Sequence, residues 1–163
     1  MAKNAAATTV TMKLSELRIK HEFISSRFKE NRKTWPVILG LKIRSVIKEM
    51  AKHADPFNET LTSIQEDEAK LIREIQEKFA VKGEDGEFVL ADGNQLTFKD
   101  KDTESVFRNL RKEISVEFVA KYKELDTVLR EEVEISALAI PQDLLPEEME
   151  GDVIDALYDF IEQ

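Results

Sequence analysis

Apolar residues recur along most of the chain at helical spacing, and short stretches break that rhythm. In residues 14–33 the apolar positions are Leu14, Leu17, Phe23, Ile24 and Phe28, with Ile19 out of phase. That spacing predicts a helix over about 16–32, with Ser15 as a cap whose box is broken by Arg18. The opening of the segment reads equally as a short strand that runs into the helix. Residues 31–34 read as a turn.

Trp35-Pro36 then opens a second helix, because a proline is tolerated where its missing N–H would be unpaired anyway. Val37, Ile38, Leu41, Val46, Ile47 and Met50 supply a broad apolar stripe, with Lys42, Arg44, Lys48 and Lys52 mostly off it. Gly40 costs about 1 kcal/mol in a helix interior, or else admits the close approach of another element. Asp55-Pro56 interrupts the pattern, so either the helix ends near His53 or one helix kinks there. Beyond it Phe57, Leu61, Ile64, Leu71, Ile72, Ile75 and Phe79 continue at helical spacing. An unbroken helix would rise roughly 65 Å at 1.5 Å per residue and would need a helical partner. Coiled-coil pairing, in one chain or between two copies, follows as an expectation.

The turn signals Gly83, Asp85-Gly86 and Asp92-Gly93-Asn94 punctuate residues 83–99. They flank Glu87–Leu90 and Gln95–Phe98, which predicts a β-hairpin turning at 91–94. Two strands alone are marginal, so the hairpin must pack on helices or gain a third strand. Val106, Phe107, Leu110, Ile114, Phe118, Val119, Tyr122, Leu125 and Leu129 then mark a helix over about 101–130. Residues 131–140 suggest a strand stopped by Pro141. Val153, Ile154, Leu157, Phe160 and Ile161 mark a short acidic terminal helix. The predicted fold is mainly α with a small β element: a long antiparallel αα-hairpin, a β-hairpin at its tip and a short acidic C-terminal helix. Residues 1–12 are expected to be a disordered tail and 13–163 a single elongated domain, with 35–79 as its helical arm.

Composition narrows the chemistry. The 163 residues hold no cysteine and two histidines, His21 and His53. Disulfides, thiolate nucleophiles and cysteine-based zinc sites are thereby excluded, and no cofactor or metal is called for. Phosphate-loop and zinc-protease motifs are absent. Asp85, Asp92 and Asn94 fail the twelve-residue calcium loop and read as turn formers. Glu66, Asp67, Glu68, Glu74 and Glu77 lie at ordinary pairing distances from Lys70, Arg73 and Lys78, not converging on a metal. No catalytic residue emerges, and the protein is expected not to be an enzyme. No stretch approaches a membrane span.

Charge is segregated. Residues 1–56 hold 12 Lys/Arg against 5 Asp/Glu, whereas residues 57–163 hold 12 against 28. Past Arg130 there are 11 acidic residues and no basic one. The basic half could dock on the acidic end, within or between chains, or the acidic end could meet a basic partner. Nucleic-acid binding by the basic half is an alternative that lacks a recognition motif and sets an acidic remainder against phosphates. Trp35, in the turn before the second helix, and Asp152, Asp155, Tyr158, Asp159 and Phe160, in the acidic terminal helix, are the candidate protein-binding residues. That helix either packs on its own core or detaches to bind a groove.

Three stretches, in this order, carry a resemblance. They are WPVILGLKIRSVIKE at 35–49, GEDGEF with DGNQLTFKD within 83–100, and EEVEISALAI at 131–140. The ordered set resembles a family of small uncharacterised proteins encoded by tailed phages and prophages of Gram-positive bacteria. The resemblance implies phage origin and a helical protein with a small β element, and it supplies no catalytic residues. The expected role is a non-enzymatic interaction protein, an assembly factor or an inhibitor of a host protein. It would act in the host cytoplasm on a protein partner, with a homodimer as a further expectation. The alternative is a minor structural component of the virion.

Overall fold

The computed structural model describes residues 7–162. The chain is mainly helical with small antiparallel β elements, as the periodicity predicts. Strand β1 (Ala7–Lys13) leads directly into helix α1 (Leu14–Asn31), and α2 (Val37–Phe79) follows. The two-residue strands β2 (Leu90–Ala91) and β3 (Gln95–Leu96) precede α3 (Lys101–Leu129). Strand β4 (Glu132–Leu138) and α4 (Gly151–Leu157) complete the order. Chain contacts group these elements into two compact units where the sequence suggests one domain. The first comprises residues up to 58 and from 127 onward, and the second comprises 59–126.

In the first unit β1 pairs antiparallel with β4, from Ala7 opposite Leu138 to Lys13 opposite Glu132. The expected disordered tail is therefore corrected for residues 7–12. Alternation along ATTVTMK, with Met12 buried, is what lets the segment form a strand once β4 supplies its partner. Residues 1–6 lie outside the described residues.

The same unit holds a well-formed core. α1 contributes Leu14, Leu17 and Ile24, and α2 contributes Leu39, Ile43, Val46, Met50, Ala54 and Phe57. β4 and the residues after it add Ile135, Ala137, Ala139 and Ile140. α4 and the turn after it add Val153, Leu157 and Phe160. The C-terminus is clamped by backbone: Ile140 N–H donates to the Phe160 carbonyl and Glu162 N–H to the Ile140 carbonyl, both at 2.8 Å. The acidic terminal helix thus packs on its own chain.

α2 runs unbroken through Pro56. Lys52 and Pro56 are both exposed, so the helix bond that the proline cannot donate is lost on the solvent side. The Gly40 backbone admits no unusually close neighbour. A Cβ there would meet the Phe28 ring at 3.8 Å, an ordinary contact.

In the second unit the end of α2 and most of α3 run antiparallel. The Tyr122 hydroxyl donates to Glu68 Oε2 at 2.7 Å, and Ala80 forms an antiparallel bridge with Phe98 at the β end. Between the helices three extended segments close on one another. Val81 N–H donates to the Thr97 carbonyl, Thr97 N–H to the Val89 carbonyl and Val89 N–H to the Val81 carbonyl, at 2.9–3.0 Å. The hairpin gains the third segment it needs. Its tight turn uses Gly93 at φ 78° and Asn94 at φ 59°, the left-handed region open to glycine and asparagine. Asp100 caps α3, accepting the Thr103 N–H at 2.7 Å, and this bond holds its carboxyl below the usual range.

Candidate protein-interaction surface

The residues singled out in the acidic C-terminal segment divide by accessibility. Phe160 is fully buried and belongs to the core, so as an anchor offered to a partner it is corrected. Asp159 accepts from Lys20 Nζ at 2.7 Å, and Lys20 also meets Glu16 at 3.1 Å. Burial of Lys20 disfavours its charge, but the hydrogen bonds to Asp159 and Glu16 and their negative charges prevail and raise its pKa. Asp152 and Glu150 lie 3.5 Å and 3.6 Å from the Arg27 guanidinium. Asp155 and Tyr158 remain exposed, Tyr158 at 56%.

Self-complementarity within the chain therefore accounts for part of the charge segregation. Basic α1 meets the acidic end through Lys20 and Arg27. Other cations of the basic half also have internal duties. Arg18 stacks over the Phe57 ring at 4.4 Å and donates to Asn58 Oδ1 at 2.9 Å, and Lys42 donates to the Ala139 carbonyl.

Trp35 is half-buried in the turn before α2, with its ring centroid 6.2 Å from that of Phe28. Immediately after it, Val37, Ile38 and Leu41 are 80%, 59% and 57% exposed. These three belong to the apolar stripe predicted for α2, yet the packed face runs through Leu39, Ile43, Val46, Met50, Ala54 and Phe57. Residues 37–41 are apolar almost all round, so periodicity within the run does not choose a face. Extending the 39-43-46-50-54-57 spacing backwards would have left Val37, Ile38 and Leu41 over. The structure thus presents a small apolar patch on the first turns of a helix, next to an aromatic ring, and the sequence reading missed it.

No protein family, curated protein or solved structure matches the chain.

Among the described residues no group of three or more His, Asp or Glu side chains is placed to hold a metal ion. Nor is any helix among them long and apolar enough to cross a membrane. What the exposed patch can do is bury apolar area against another surface. Each aliphatic side chain fully covered there would contribute roughly 1.5–3 kcal/mol before the costs of association.

Proposed function

We propose that this chain is a phage-encoded, non-enzymatic interaction protein that binds a protein partner in the host cytoplasm, as an assembly factor or as an inhibitor of a host protein. One observation carries the reading: Val37, Ile38 and Leu41 stand exposed together beside Trp35, in a unit whose other large side chains are mostly packed. A folded domain gains nothing by leaving such a cluster in water, whereas a binding surface needs a desolvatable centre. The pairing of Lys20 and Arg27 with the acidic segment supports placing the contact on α2 rather than on the acidic end. Phage origin rests on the ordered sequence resemblance.

The test is recovery of partners from phage-infected cells with the tagged protein, compared with an Ile38→Glu/Leu41→Glu variant. A phage head or tail protein retained by the wild type and lost by the variant identifies an assembly factor. A host protein with the same behaviour identifies an inhibitor. Equal retention by both would overturn the patch as the contact, and finding the protein in purified particles would replace the reading with a virion component.

A further inference from the structure

Within residues 59–126 a cleft of about 660 Å³ opens between the β segments and α3. Its apolar wall is made by Leu96, Phe98 and Phe107, the two phenyl rings lying 4.9 Å apart. Its other sides carry Arg108, Arg111 and Lys112, with the amides of Gln76, Asn94 and Gln95. Glu104 holds Arg108 through two hydrogen bonds, at 2.6 and 2.8 Å, to one carboxylate oxygen. Arg111 and Lys112 are exposed and have no partner among the described residues.

This cluster runs against the composition of its surroundings. Residues 59–126 hold 17 Asp/Glu against 11 Lys/Arg. Two unpaired cations on one wall of a cleft would therefore attract a short anionic segment. A nucleic acid would require a basic track extending well beyond the cleft, and here it would meet carboxylates. Inorganic phosphate would leave the Leu96 and Phe98 wall unused. A peptide would use all three kinds of lining group. Its carboxylates would meet Arg111 and Lys112, its backbone would meet the amides, and an apolar side chain would meet the wall. The apolar surface also continues along α3 to Val116 and Val119, which are 65% and 49% exposed.

We infer that this cleft binds an acidic peptide segment of a partner protein, one with an apolar side chain among its carboxylates. The inference deepens the reading of the chain as an interaction protein but uses different residues from Val37, Ile38 and Leu41.

Fluorescence anisotropy of the full-length protein tests it. The probe is a labelled glutamate-rich peptide with one central phenylalanine. Binding is expected to weaken as salt rises and to fall by about tenfold or more in an Arg111→Glu/Lys112→Glu variant. The same loss is expected when the peptide's glutamates are replaced by glutamine. A Lys99→Glu/Lys101→Glu variant, with the same charge change outside the cleft lining, should keep binding. Circular dichroism of both variants checks that they fold. Absence of binding by the wild type, or equal binding by the cleft variant, would overturn the inference. So would displacement of the peptide by inorganic phosphate or a single-stranded oligonucleotide. If the peptide fails while Ile38→Glu/Leu41→Glu still abolishes partner recovery from infected cells, only the cleft is overturned. If the peptide binds while that recovery is unaffected, only the α2 patch is.

Discussion

Lys20 on α1 and Asp159 beside the C-terminus lie 139 positions apart in sequence and meet at 2.7 Å. The bond joins the basic beginning of the chain to its acidic end. Its energetic weight is open to titration. Because the Lys20 pKa is raised in the folded state, its contribution is complete below the unfolded lysine value. It is lost as pH rises through the folded value. Lys20→Met should destabilise the protein by about 1 kcal/mol at neutral pH. The difference from wild type should shrink at strongly alkaline pH. Urea denaturation at both pH values measures it, and a pH-independent difference would assign the loss to packing.

Phe160 offers a sharper test of how the C-terminal segment is held. The side chain is fully buried, and its carbonyl accepts the Ile140 N–H. Phe160→Ala should cost about 3–5 kcal/mol through lost burial and the cavity left behind. The denaturation midpoint should fall accordingly, and limited proteolysis should begin cutting near the C-terminus. An unchanged midpoint would mean that the segment contributes little to the core.

α2 carries two residues that disfavour a helix. At Gly40 an added Cβ would make an ordinary contact with Phe28, and Pro56 is exposed within a continuous helix. Gly40→Ala should stabilise by about 1 kcal/mol. Pro56→Ala should stabilise by about 1–3 kcal/mol, since restoring the helix bond outweighs the greater freedom of the unfolded chain. Thermal melts decide both, and a lower melting temperature for Pro56→Ala would mean that the proline shapes the helix in a way the fold needs.

Tyr122 should report on the pairing of α2 with α3. Its hydroxyl donates to the Glu68 carboxylate, and that bond, with burial and the negative charge adding to it, raises the phenol above its ordinary value. In a Tyr158→Phe background the chain keeps one tyrosine, so phenolate absorbance follows Tyr122 alone. Glu68→Ala should bring the titration back toward the ordinary phenol value. An identical curve for the two proteins would show that the bond does not form in solution.

Much of this architecture can be read in the chain. The turn at Asp92-Gly93-Asn94 requires backbone conformations that few other residues accept, and glycine and asparagine take them here. The Phe107 and Phe118 positions of α3 fall on its predicted stripe and are buried. Strand β4 is also where alternation places it. These features depend on local propensity and periodicity, which a residue carries wherever its neighbours lie.

Three features needed the tertiary structure. Residues 7–13 look small and polar in isolation and become a strand because β4 offers matching N–H and C=O groups far along the chain, from Leu138 opposite Ala7 to Glu132 opposite Lys13, and Leu14 N–H continues the pairing to the Glu131 carbonyl.

 The pairing is non-local, so the alternation of the seven residues becomes a strand only once β4 lies opposite. Phe160 has the composition of a surface anchor and is buried because Ile140 and β1 come to meet its segment. Val37, Ile38 and Leu41 have the composition of core and are exposed because Leu39 and Ile43 take the packed side. The sequence by itself determined the helices, the turn at Asp92-Gly93-Asn94 and strand β4, since those follow from backbone preference and the spacing of apolar residues. Only the tertiary structure decided which apolar side chains face inward and which charges neutralise each other, because burial is set by what lies opposite in space.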